Sequence, residues 1–206
     1  MDHAVRILQA GGVIVYPTET LYGMGCDGRN LQAVARVARI KGRPESKPLP
    51  VIIGSLEMLE LVSDPIPPLV RALARAFWPG PLSVLTPARP ELAPGVRDGA
   101  GFVSVRLSPH PVARELSRRG GMPLVATSAN LSGNDPTADP ARLDPAMLAA
   151  VDLAITDPPW PGGGAPSTLV RPVSGHTIQA LRVGAIRVEE LEAKGFHVVV
   201  ADAPRF

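Results

Sequence analysis

The chain has 206 residues, 45% hydrophobic but only 4% aromatic, so it can bury an aliphatic core and is not a disordered segment. Its 21 basic and 19 acidic residues leave a charge of +2 and a pI near 9.0, too slight an excess to argue for nucleic acid by itself. The lone cysteine, Cys26, excludes an internal disulfide, and no apolar run reaches the length of a bilayer, which predicts a soluble cytoplasmic protein.

In chain order, Met1 to Ala10 reads as an amphipathic helix rather than a leader, and Val13 to Tyr16 as a strand. Helical spacing runs from Leu31 to Ile40. A buried strand at Val51 to Ile53 precedes helical patterns at Leu56 to Val62 and Leu69 to Trp78, the second stopped by Pro79-Gly80-Pro81. Strands follow at Leu82 to Leu85 and Phe102 to Leu107, then a helix at Val112 to Arg119 and a strand at Leu124 to Ala126. Val151 to Ile155, Thr168 to Val170, Ile178 to Val183 and Val198 to Ala201 add four more strands. The alternation predicts one α/β domain, and the hairpin-like stretches among the 24 prolines predict a mixed sheet.

Several chemistries are absent. The four histidines are scattered, none at metal-ligand spacing with Cys26, and there is no G-x-S-x-G, H-E-x-x-H or phosphate loop ending in Gly-Lys-Ser/Thr. Gly23-Met24-Gly25-Cys26-Asp27-Gly28 matches a dinucleotide fingerprint, but six residues separate it from the strand that should end on its first glycine, so it reads as a turn.

Four polar stretches remain. Tyr16 to Gly23 carries Thr18, Glu19 and Thr20 on a proline-led turn, suited to a small polar ligand or to turn hydrogen bonds alone. Lys41 to Leu49 closes a basic run of Arg36, Arg39, Lys41, Arg43 and Lys47, a solvated helix end or a seat for polyphosphate. Ala126 to Gly133 offers Ser128 and Asn130, either ligand-binding groups or a helix cap. In Pro161 to Thr168, glycines let the backbone approach a ligand beside Ser167.

In this order the stretches, together with Trp78-Pro79-Gly80-Pro81-Leu82 and Pro166-Ser167-Thr168, resemble the YrdC family of threonylcarbamoyl-AMP synthases from about Gly12 to Ile186. The resemblance implies a twisted, mixed α/β sheet with flanking helices around a deep, positively lined cavity, in the short form with residues 1–206 as one domain. By motif, it places Lys41 and Arg43 as catalytic groups on the ATP phosphates. Lys47, Ser128, Asn130, Asp135 and Arg182 join them as nucleotide contacts, and Thr20, Arg106 and Ser167 hold L-threonine. Three positions depart from the family pattern: Arg171 stands for an acidic residue, Val183 for Glu, and Phe102 for a smaller one.

The implied reaction joins L-threonine, bicarbonate and ATP, with Mg2+, into threonylcarbamoyl-AMP and pyrophosphate for tRNA modification. It is a nucleotidyl transfer with no enzyme-bound intermediate. Expected partners are downstream threonylcarbamoyl-transfer proteins and tRNA, and no membrane. The basic cluster leaves two alternatives: an RNA-binding module with a basic concave face, and a carbamoyl-adenylate domain. The second sits in larger chains with zinc-finger modules, for which one cysteine is too few.

Overall fold

Apolar spacing begins the fold at helix α1 (Asp2–Gln9), which buries Ala4, Val5 and Leu8 on one face. In the computed structural model, which describes residues 1–42 and 47–201, the strands divide between two sheets, both mixed. Strands β1 (Ile14–Pro17) and β2 (Tyr22–Gly25) form an antiparallel hairpin whose eight residues are all buried. Helix α2 (Leu31–Lys41) follows, capped at its start by Asn30, whose side chain accepts from Ala33 N, and closed by Gly42 in the left-handed region.

After β3 (Val51–Ile53) come helix α3 (Pro68–Phe77) and strands β4 (Leu82–Pro87) and β5 (Phe102–Leu107). Helix α4 (Pro111–Gly120) leads into two short strands, β6 (Leu124–Val125) and β7 (Thr127–Ser128). Helix α5 (Pro145–Ala150) and β8 (Leu153–Ala154) precede the long pair β9 (Thr168–Ser174) and β10 (Thr177–Arg182), then α6 (Val188–Glu192) and β11 (His197–Val200). The smaller sheet has the order β7-β2-β1-β8 and the larger β11-β10-β9-β4-β5-β3-β6.

The chain passes from one sheet to the other at Ala126. Val125, one residue before, pairs with β3, while Thr127, one residue after, pairs with β2. Two apolar clusters fill the interior. Ile14 and Tyr16 point into one with α1 and α4, and Val13 and Val15 into the other, the alternation of a strand buried on both faces.

Two expectations are corrected. Leu56 to Val62 forms a 3-10 helix over Glu57–Leu61, whose buried Leu59 stands three residues before the buried Val62 that caps it, one turn of such a helix. The first three residues of the glycine-rich stretch read as a turn, Gly23 to Gly25, belong to strand β2. Its pairing on both sides overrides the poor strand preference of glycine, and a Cβ on Gly25 would lie 1.7 Å from Val125 O.

Candidate active site

Strand alternation builds the floor of the site. On β4, Leu82 and Val84 enter the core while Ser83 and Leu85 face the other way, and β5 and β9 do the same with Ser104, Arg106, Leu169 and Arg171. A register shift between Ala180 and Arg182 lets the consecutive Leu181 and Arg182 both face this side. The β1–β2 turn and the Ala126–Ser128 crossing wall a cavity of about 620 Å³ above it. Four cations, Lys47, Arg106, Arg171 and Arg182, line it against one carboxylate, Asp98, among the described residues.

Three predicted residues, Thr20, Arg106 and Ser167, line this cavity. Thr18 Oγ1 donates to Leu21 O at 2.7 Å and closes the turn, whereas the Thr20 hydroxyl has only a 3.5 Å contact with Thr18. Arg106 Nε lies 2.9 Å from Glu19 Oε1, both side chains being buried. Ser167 Oγ sits 3.0 Å from Ser83 Oγ, and its carbonyl accepts from Arg182 Nε and Nη2 at 3.1 and 2.9 Å. Arg182 therefore braces the strand end that presents Ser167. Thr168 locks the same segment, its hydroxyl donating to Ile186 O and accepting from Gly184 N and Ile186 N.

The basic run separates in space. Arg36 turns away to pair with Asp152, while Lys47 stands exposed at the cavity. Lys41 is 5% exposed and does not line the cavity. Its Nζ reaches Ser128 O and Oγ at 2.8 and 3.1 Å, and Asn130 O and Oδ1 at 2.9 and 2.8 Å. Lys41 thus holds the Ser-Ala-Asn turn, and only Ser128 of that turn lines the main cavity. Asn130 and the exposed Asp135 line a separate cavity of about 350 Å³. Arg43 lies outside the described residues.

The motifs left out Ser83, Ser104 and Asp98, and offered Glu19 to a ligand, whereas its carboxylate pairs with Arg106. The signal for the two serines is there to read: each interrupts a β-branched strand at the period-2 position opposite the core. Cys26 is fully buried, and burial pushes its thiol up, far from nucleophilic use. Burial likewise raises the Tyr16 hydroxyl, which donates to Val125 O at 2.7 Å. Tyr22, at the cavity wall, keeps a buried hydroxyl with no hydrogen-bond partner among the described residues, its pKa raised chiefly by burial.

An α/β fold with two mixed sheets and a cation-lined cavity over the larger one is the class these features define. The chain belongs to the Sua5/YciO/YrdC family, whose profile, described as telomere recombination, matches residues 6–184. The threonylcarbamoyl-AMP synthase of Xanthomonas euvesicatoria pv. vesicatoria is 43% identical over 157 residues, 74% of this chain and 82% of that protein. The Bacillus subtilis protein of the same name is 36% identical over 196 residues, 92% of this chain and 55% of its own length. Among solved structures, P. abyssi Sua5 complexed with L-threonine superposes with a TM-score of 0.89 at 29% identity, over 97% of this chain and 58% of that one. E. coli YciO superposes at 0.79 with 25% identity, over 92% and 91%. The chain therefore spans little more than half of the Bacillus and P. abyssi proteins.

Proposed function

We propose that this chain is an L-threonylcarbamoyladenylate synthase, a nucleotidyltransferase that makes threonylcarbamoyl-AMP and pyrophosphate from L-threonine, bicarbonate and ATP. The observation that carries the reading is that Arg106, Thr20 and Ser167 line one cation-rich cavity, whose volume falls in the range of about 300–1,000 Å³ usual for small-molecule sites. A guanidinium suits an α-carboxylate, and the two hydroxyls suit an amine or a side-chain hydroxyl. The names of the relatives and the threonine complex of P. abyssi Sua5 support the same assignment.

In this reading the threonine amine takes up CO2 from bicarbonate, which releases water, and an oxygen of the resulting carbamate attacks the α-phosphorus as pyrophosphate leaves. The walls hold the short-lived carbamate beside the phosphorus, and Lys47 and Arg182 supply charge toward the phosphates. No group of three His, Cys, Asp or Glu stands together among the described residues, so Mg2+ would arrive on the nucleotide and be held by its phosphate oxygens. When bound it would neutralise phosphate charge. A cytoplasmic setting with ATP, tRNA and threonylcarbamoyl-transfer partners fits this chemistry, and no helix among the described residues is long and apolar enough to cross a membrane.

The test is pyrophosphate release with ATP, bicarbonate and a series of amino acids. Threonine should support turnover, serine less, and 2-aminobutyrate, which lacks only the hydroxyl, far less, because the site's hydroxyls are then left unpaired. Arg106→Ala should weaken threonine in isothermal titration and leave ATP binding near normal. Weakened ATP with intact threonine binding would reverse the two halves of the site, and RNA binding without pyrophosphate release would replace the reading.

A further inference from the structure

Arg106 has a partner, Glu19, that the turn offered to a small polar ligand and to which the comparisons give no role. Its Nε donates to Glu19 Oε1 at 2.9 Å, and the second carboxylate oxygen, Oε2, accepts from Ser108 Oγ at 2.5 Å. Glu19 and Arg106 are 9% and 7% exposed at their side chains, and only Arg106 lines the cavity. The carboxylate therefore stands behind the guanidinium as seen from the cavity. Because a guanidinium is a rigid planar fork, fixing its Nε edge fixes the direction of the terminal nitrogens.

Glu19 is itself held. Its carbonyl accepts from Gly162 N at 3.2 Å, and that of Thr20 accepts from Gly163 N at 2.9 Å, so the glycine-rich loop clasps the β1–β2 turn. Ser108 Oγ, the second donor to the carboxylate, also accepts from His110 N at 3.1 Å at the start of α4. One side chain thus ties the turn that carries Thr20 to the strand that carries Arg106, across 87 residues of sequence.

We propose that Glu19 is a positioning residue: it aims the terminal nitrogens of Arg106 and sets their spacing from Thr20, and so defines the geometry in which an amino-acid substrate is accepted. The inference rests on the reading of Arg106 and Thr20 as the amino-acid end of the site. Its chemistry is aim rather than charge, which separates three substitutions. Glu19→Gln keeps the reach and an oxygen to receive Nε. Glu19→Asp keeps the charge but falls one methylene short, and Glu19→Ala loses both.

Threonine and ATP affinities are measured by isothermal titration, threonine KM and kcat by pyrophosphate release, and the fold by thermal unfolding. Glu19→Ala and Glu19→Asp should raise threonine Kd and KM by about tenfold or more, the scale of one charge-assisted hydrogen bond, with ATP Kd nearly unchanged. Glu19→Gln should restore most of the threonine affinity. If Glu19→Ala does not fold, the comparison of Asp with Gln carries the test. Wild-type threonine affinity in Asp, or equal weakening of threonine and ATP, overturns the proposal. If Arg106→Ala loses threonine while every folded Glu19 variant keeps it, the positioning role fails alone. If Arg106→Ala also keeps threonine, the amino-acid reading of the site fails with it.

Discussion

Lys41 is the residue whose environment departs furthest from its sequence setting. It stands at the end of a basic run, yet four oxygens of Ser128 and Asn130 surround its Nζ, and its own carbonyl accepts from Ser132 N at 3.0 Å. A lysine so buried acts on that turn through both backbone and side chain. Lys41→Met keeps the length of the side chain but takes the donor from Ser128 Oγ and Asn130 O, while Ser128 O still accepts from Asn130 N and Asn130 Oδ1 from Ser128 Oγ. The cost is about 1–3 kcal/mol for each group left unpaired that water does not reach. The melting temperature should fall by roughly 5–10 °C, at about 2–4 °C per kcal/mol for a chain of this size, and ATP affinity should fall with it. Calorimetry and nucleotide titration on the same sample check this. An unchanged melting temperature with lost ATP affinity would assign Lys41 to the ligand instead.

At the scale of elements, two glycines show how different constraints can look alike in sequence. Gly25 in β2 packs flat against the crossing strand, where a methyl would meet the carbonyl of Val125. Gly121 ends α4 at φ +62 with nothing within 4 Å of a methyl, so only backbone strain opposes a side chain there. Gly121→Ala should therefore cost roughly 1–2 kcal/mol, the left-handed penalty for a residue with a Cβ. Gly25→Ala should cost about 3 kcal/mol or more, because β2 or β6 must move to relieve the overlap. Urea unfolding of both variants measures the order, and equal costs would mean that the crossing yields easily.

Over the whole molecule, acid should loosen the fold in two stages. His110 is buried, with Nδ1 accepting from Val112 N at 3.3 Å and Nε2 lying 3.1 Å from Pro159 O, an arrangement that suits the neutral ring. Burial lowers its pKa from 6.5, so the unfolded chain binds the proton more readily. Stability should be flat above that value and decline as pH falls below it. Asp152 joins Arg36 of α2 to Val13 N ahead of β1, and the Arg36 hydrogen bonds hold its carboxyl below the usual 3.8. Its contribution is present above that value and lost as pH falls through the lower folded one. With 37% of its side chain exposed, Asp152 adds the smaller step. Urea midpoints at pH about 7, 5.5 and 3 should fall in sequence. His110→Asn, which can still cap α4, should flatten the first decline, and Asp152→Asn the second.

What the sequence determined by itself was local. Phe102–Leu107 forms the strand read there, and the helical spacing of Leu31 to Ile40 becomes the helix Leu31–Lys41, because those periods depend only on backbone geometry. Motif order carried the family, since Thr20, Arg106, Ser167 and Ser128 are read by residue type and all come to one cavity. Tertiary structure decided the rest. The division of the strands between two sheets depends on which backbones pair across Ala126, and no residue preference encodes that choice. The same pairing turns Lys41 toward Ser128 and Asn130 and brings Glu19 behind Arg106. A side chain's type is written at its own position, but its direction is set by the strands that pack against it.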